Sequence, residues 1–186
     1  MMEDTKHMRG CAVMDVIEIL KDKSIKKLQA RELIVRAIAD GSFSLREFES
    51  RLGELNEKQI ATVLEAIEEI TGKKIKPLGA EYLLFAQRFI LSENNSCKRE
   101  ASRIVGNMAA DHPDLSDDAV AALLQNAQND GTVVRWSSAY ALSRIIVLER
   151  YRGSSLVDTV RGIYEAEEES GVRNQYKKAL KRIKAI

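Results

Sequence analysis

The sequence predicts an all-α protein built as a short array of helix pairs. Three observations carry this. Apolar residues recur with a helical period almost throughout, and no stretch alternates with the period of a strand. The only two prolines, Pro77 and Pro113, fall between periodic segments, where a helix has to stop. One pattern of residues returns at spacings of 37 and 38.

Taken in order, the periodicity predicts ten helices, over 12–21, 24–39, 44–53, 56–71, 79–92, 96–110, 116–128, 132–150, 154–169 and 171–185. Ser44 with Glu47, Asn56 with Gln59 and Ser155 with Asp158 have the spacing of N-cap pairs. Ser116 followed by Asp117 and Asp118 places a cap and then acids at the positive end of a helix. Val120, Leu123, Leu124 and Ala127 form one apolar stripe; Leu156, Val160, Ile163 and Tyr164 form another. Helices this short are marginal alone, so each needs neighbours, and the short connections make those neighbours antiparallel. The longest loop, Gly72 to Leu78, carries three lysines and Pro77, and is expected to separate two N-terminal hairpins from a more regular C-terminal set.

The repeat is the strongest signal. Val134-Arg135 is followed by Ser138, Ala141, Leu142 and Ile145. Val172-Arg173 is followed by Tyr176, Ala179, Leu180 and Ile183, and Cys97-Lys98 by Ala101, Ile104, Val105 and Met108. Each set occupies one face of a helix. Acids stand four residues before each anchor (Glu93, Asp130, Glu168) and bases one residue after it (Lys98, Arg135, Arg173). They are expected to form a solvated ion-pair ladder, worth little per pair. A fainter copy is Asn56, Ile60, Val63, Leu64 and Ile67, and the hairpin 12–39 fits loosely, as terminal repeats do. About five hairpins fill the chain.

The runs Ala119 to Ile145 and Leu156 to Ile183 resemble the HEAT family of α-helical repeats, within the wider armadillo type. The resemblance implies a right-handed α-solenoid, an α-α superhelix of about five antiparallel helix pairs. Residues 1–186 are read as a single HEAT-like repeat domain, with degenerate repeats over 1–72 and regular ones over 79–186. The Val-Arg pair is missing before Gly72, so strict repeat geometry is not expected there. Such arrays include scaffolds, adaptors, regulators, bilin lyases and glycosylases for alkylated DNA bases.

Composition narrows the function. Lys plus Arg is 29 against 28 for Asp plus Glu, a net charge of +1, which argues against bulk nucleic-acid binding. No apolar window is long enough for a membrane span, and residues 1–10 lack the apolar core of a secretory signal. Cys11 and Cys97 read as reduced thiols of a cytoplasmic protein. With His7 and His112 they show no metal-ligand spacing, so no metal and no cofactor are expected. Phosphate-loop, dinucleotide, zinc-protease and nucleophile-elbow motifs are missing. His112-Pro113-Asp114 reads as a helix stop, and Glu165, Glu167, Glu168 and Glu169 as a solvated helix end. A glycosylase needs a carboxylate poised beside basic and aromatic groups, and none is evident on the helix of Trp136, the one tryptophan. No catalytic residue is assigned.

The resemblance implies that the second helix of each pair lines the concave face. Residues two, six and ten after each anchor then point into it: Arg99, Arg103 and Asn107; Trp136, Tyr140 and Arg144; Asn174, Lys178 and Arg182. Arg99, Arg103, Trp136, Tyr140, Arg144, Lys178 and Arg182 are the candidate partner-binding residues, a grid with no acid in it. Arg, Trp and Tyr dominate interface hot spots, and together they can hold phosphate and stack a base. The alternative is that Trp136 and Tyr140 pack internally with arginines over them. Residues 171–186 carry six bases and no acid, beside a stretch 153–170 of net charge −4. The expected function is a non-enzymatic scaffold or adaptor holding a protein partner with an acidic surface. The second reading is a nucleic-acid binder, related to the alkylated-base glycosylases.

Overall fold

Short helices joined by short turns pack in strict alternation. The computed structural model describes residues 15–186, so His7 and Cys11 lie outside the described residues. Ten α-helices are present among these: α1 (Val16–Lys21), α2 (Lys27–Asp40), α3 (Leu45–Ser50), α4 (Glu57–Gly72), α5 (Ala80–Gln87), α6 (Asn95–Met108), α7 (Asp117–Asn126), α8 (Thr132–Ile145), α9 (Ser155–Ala166) and α10 (Ser170–Arg182). No strand occurs among the described residues. The fold is all-α, and each helix falls within a segment that the periodicity predicts, give or take a residue or two at the ends.

Local signals explain most boundaries. Asn56 and Gln59 form a full capping box: Gln59 N–H donates to Asn56 Oδ1 at 3.1 Å, and Asn56 N–H to Gln59 Oε1 at 2.9 Å. Ser44 Oγ accepts from Glu47 N–H at 3.2 Å. Two expected caps fail. Ser116 already has helical dihedrals, and its hydroxyl donates to the His112 carbonyl instead. Ser155 lies inside α9, whose N-cap is Ser154, and Asp158 pairs with Arg161. Asn94 caps α6 by accepting from Ser96 and Cys97, a cap that the search for paired residues missed. The segment predicted over 132–150 stops at Ile145 and continues as a turn and a short 3-10 helix, Glu149–Tyr151.

The even-numbered helices form a continuous series: α2 packs on α4, α4 on α6, α6 on α8 and α8 on α10. The odd helices α1, α5, α7 and α9 each pack on the even helix that follows. The α3 segment departs from this. It is six residues long and is held mainly through Phe48, whose ring meets Phe43 and Phe85 at 5.7 and 5.9 Å. One apolar core runs from Val16 to Leu180, and α4 packs directly on α6 across the 72–78 loop.

At the three anchors and at the positions four, seven, eight and eleven residues after each, every residue is buried except Ile183, which is half-buried. The one polar member, Ser138, satisfies its hydroxyl by donating to the Leu123 carbonyl at 2.8 Å. The pattern is therefore the set of positions that touch other helices. The tightest contact is between α6 and α8. A Cβ on Gly106 would sit 2.9 Å from the Ala141 Cα and 3.0 Å from the Tyr140 ring. On α9, a Cβ at Gly162 would meet nothing within 4 Å.

These two glycines yield opposite expectations. Gly106→Ala forces α6 and α8 apart and should cost about 1–3 kcal/mol. Gly162→Ala should gain about 0.5–1 kcal/mol from helix propensity. Paired thermal or urea unfolding curves check both; equal shifts would contradict the close approach.

Candidate functional site

The even helices leave one strip uncovered, and its centre is a groove of about 950 Å³. Lys27 and Arg31 of α2, Glu65, Glu68 and Glu69 of α4, Arg99, Glu100 and Arg103 of α6, and Tyr140 of α8 line it. The strip results directly from the helix repeat. Residues two, six and ten after each anchor lie opposite the buried face, and the residue three after it lies at the edge.

The structure corrects the expectation of an acid-free grid. Arg99 donates to Glu100 at 2.5 Å and lies 3.5 Å from Glu65. Arg103 reaches Glu68 at 2.7 Å and Glu100 at 3.3 Å. Lys27 pairs with Glu65 at 2.6 Å, while Arg31 and Lys73 share Glu69. The acids were missed because they stand on the preceding helix, or at the edge of their own. The signal was present: Lys27 and Glu65, like Arg31 and Glu69, are one repeat spacing of 38 apart.

Glu100 and Glu68 are the buried carboxylates of this network, 3% and 9% exposed. Burial raises the Glu68 carboxyl above its ordinary value, Arg103 opposes the rise, and nearby Glu100 adds to it. Asn107 links the network to α8. Its amide donates to Glu68 at 3.3 Å and to Thr71 Oγ1 at 3.1 Å, and its carbonyl accepts from the Tyr140 hydroxyl at 2.5 Å.

Trp136 and Tyr140 are half-buried and stack on each other, centroids 5.5 Å apart. Arg144 lies 3.3 Å over the Tyr140 ring. Tyr140 is thus packed as the internal alternative describes. Arg144, Lys178 and Arg182 are exposed. Among the described residues none of these three has a carboxylate within 4 Å, and neither have Arg173, Lys177, Lys181 and Lys184. The five charged candidates fall into two groups. Arg99 and Arg103 are neutralised in the groove; Arg144, Lys178 and Arg182 stand free on α8 and α10.

The predicted acid-base ladder forms at one rung and in altered form. Arg135 grips Glu167, not Asp130 or Glu168, through bonds of 2.9 and 3.3 Å. It also donates to the carbonyls of Asn129 and Asp130, 3.0 Å each. Glu167 is therefore not part of a solvated helix end: its side chain is 6% exposed. Burial alone would raise its carboxyl, but the bonds from Arg135 and from Glu169 N–H outweigh this and hold it below the usual range. Lys98 has no ion pair among the described residues, and Arg173 lies over the Tyr164 ring at 4.9 Å. Cys97 is a free, fully buried thiol, pushed up to about 11 by burial. Among the described residues no cluster of His, Cys, Asp and Glu is arranged to hold a metal, and no helix is long and apolar enough to cross a membrane.

Compared with known proteins, the chain matches no family model and no curated protein.

Glu68 and Glu167 yield distinct expectations. The elevated Glu68 value favours its protonated form in the fold. That contribution is full below the ordinary value of 4.5 and is lost as pH rises through the elevated one. Glu68→Gln should therefore gain stability relative to the native chain as pH rises from about 4 to about 8. An unfolding difference that stays constant over this range would show that burial does not control Glu68. Arg135→Ala strands a buried carboxylate and should cost on the order of 3 kcal/mol. Denaturant unfolding measures it, and a loss below about 0.5 kcal/mol would place the pair among ordinary surface bridges.

Proposed function

We propose that this chain is a non-enzymatic scaffold or adaptor of HEAT-like type, a right-handed α-solenoid of about five helix pairs that holds a protein partner on its concave face. The observation that carries the reading is the unbroken packing of α2, α4, α6, α8 and α10, which presents one continuous polar strip. The repeat of about 37–38 residues supports the same architecture, since each of its buried positions serves contact between successive helices. The concave face is the strip made by the even helices. Its groove carboxylates are occupied by guanidinium groups, an arrangement that suits a rigid docking surface better than a proton-transfer site.

A nucleic-acid role is the second reading, and the unpaired cations of α10 favour it. Weighing against it, every cation lining the groove is already paired with Glu65, Glu68, Glu69 or Glu100, which leaves none free for a phosphate backbone running along the strip.

Arg103 is unsuited to a test because it holds Glu68 and Glu100 in place. Arg144→Glu with Lys178→Glu leaves every observed ion pair intact. A photo-crosslinking side chain at position 174, on the even-helix strip, should capture a protein partner in the native background and lose it in the double variant. The same probe at position 159 of α9 should capture none. Capture from α9 alone, or capture unaffected by the charge reversals, would overturn the concave-face reading.

A further inference from the structure

The strip is electrically divided along its length, and the division identifies the partner's chemistry. From α2 to α6 every cation lining the groove already has a carboxylate: Lys27 with Glu65, Arg31 and Lys73 with Glu69, Arg99 with Glu65 and Glu100, Arg103 with Glu68 and Glu100. A partner's carboxylate gains little there, because it must displace an existing bridge. On α8 and α10 the order reverses. Arg144 and Arg182 occupy equivalent positions on packed neighbours, and Lys178 lies one turn before Arg182. All three are exposed and have no acidic partner among the described residues.

We infer that the α8–α10 end of the strip is a docking surface for an extended acidic protein segment, rich in Asp and Glu, which supplies the carboxylates that Arg144, Lys178 and Arg182 lack. The inference rests on the concave-face reading and adds the class of partner and its place. Charge complementarity selects an anion, and the aromatic geometry selects among anions. Single-stranded nucleic acid needs an open ring face for each base. Tyr140 is already stacked with Trp136 and carries Arg144 at 3.3 Å over its ring, and its hydroxyl is bound to Asn107. A nucleic-acid strand leaving this end would also find every cation lining the groove already paired. A short peptide need not leave it. The helices here span 13 and 14 residues, about 20 Å, which about six to eight extended residues match.

The test uses the whole protein and a labelled peptide of about eight residues, alternating Glu and Gly, in fluorescence anisotropy. Lys178→Glu with Arg182→Glu should weaken binding at least about tenfold. Lys23→Glu with Lys26→Glu, at two exposed lysines of the α1–α2 turn outside the groove, changes the net charge equally at the far end. It should alter binding less than about twofold at physiological salt, where fields fade within about 8 Å. Equal losses from both pairs would overturn the assigned place. No peptide binding, or tighter binding of a single-stranded oligonucleotide of equal charge, would overturn the assigned chemistry. If the crosslinking partner persists while the peptide fails, the acidic-segment inference falls and the concave-face reading stands; loss of both outcomes sinks both.

Discussion

The fold depends on the sharing of each even helix among its neighbours. A helix of 13 to 16 residues cannot hold its shape in water on its own. Here α6 is flanked by α4 and α8 and backed by α5, and α8 is flanked by α6 and α10 and backed by α7. Three sides are spent on burial, which leaves one narrow side for anything else. Gly106 shows how close the sharing is, since α6 and α8 approach until no side chain fits between them.

That single free side is where polar chemistry concentrates. Successive free sides lie next to one another, so a charge on one helix meets a charge one repeat away before it meets water. Between α2 and α6 this produces interlocked guanidinium and carboxylate groups, with Arg103 bridging two buried acids. A buried network of this kind contributes little net stability but penalises any arrangement that unpairs it. Arg144, Lys178 and Arg182, on α8 and α10, have no such acid within reach among the described residues. The contrast between the halves thus comes from residues on neighbouring helices, which a helix-by-helix inventory of charges does not reveal.

Much of this was legible in the sequence. Period, proline placement and the spacing between copies located all ten helices, and the repeated apolar positions are the buried ones. The α2 face, Ala30, Ile34, Ala37 and Ile38, keeps the spacing of four, seven and eight residues after its first member, but Lys26 stands where the other copies have an acid. Seven candidate residues were placed on the strip, yet their partners were not, because likeness between copies finds equivalent residues and overlooks complementary ones. Glu167 shows the limit most clearly. In a run of acids, nothing local marks which carboxylate a distant arginine will bury; the turn geometry that puts Glu167 in reach of Arg135 comes from the packing of α10 on α8.

That grip has a mechanical side. The α9–α10 pair meets the rest of the described chain along one flank, while its far flank is a row of exposed bases. Arg135 fastens it where the chain passes from α9 to α10, at the point a peeling motion would have to open first. The bridge thus acts as a catch on the last unit of the stack. With it, the terminal pair is joined to α8 by a charged contact as well as by the apolar seam. Without it, the apolar seam alone would set the spacing between the cations of α10 and Arg144.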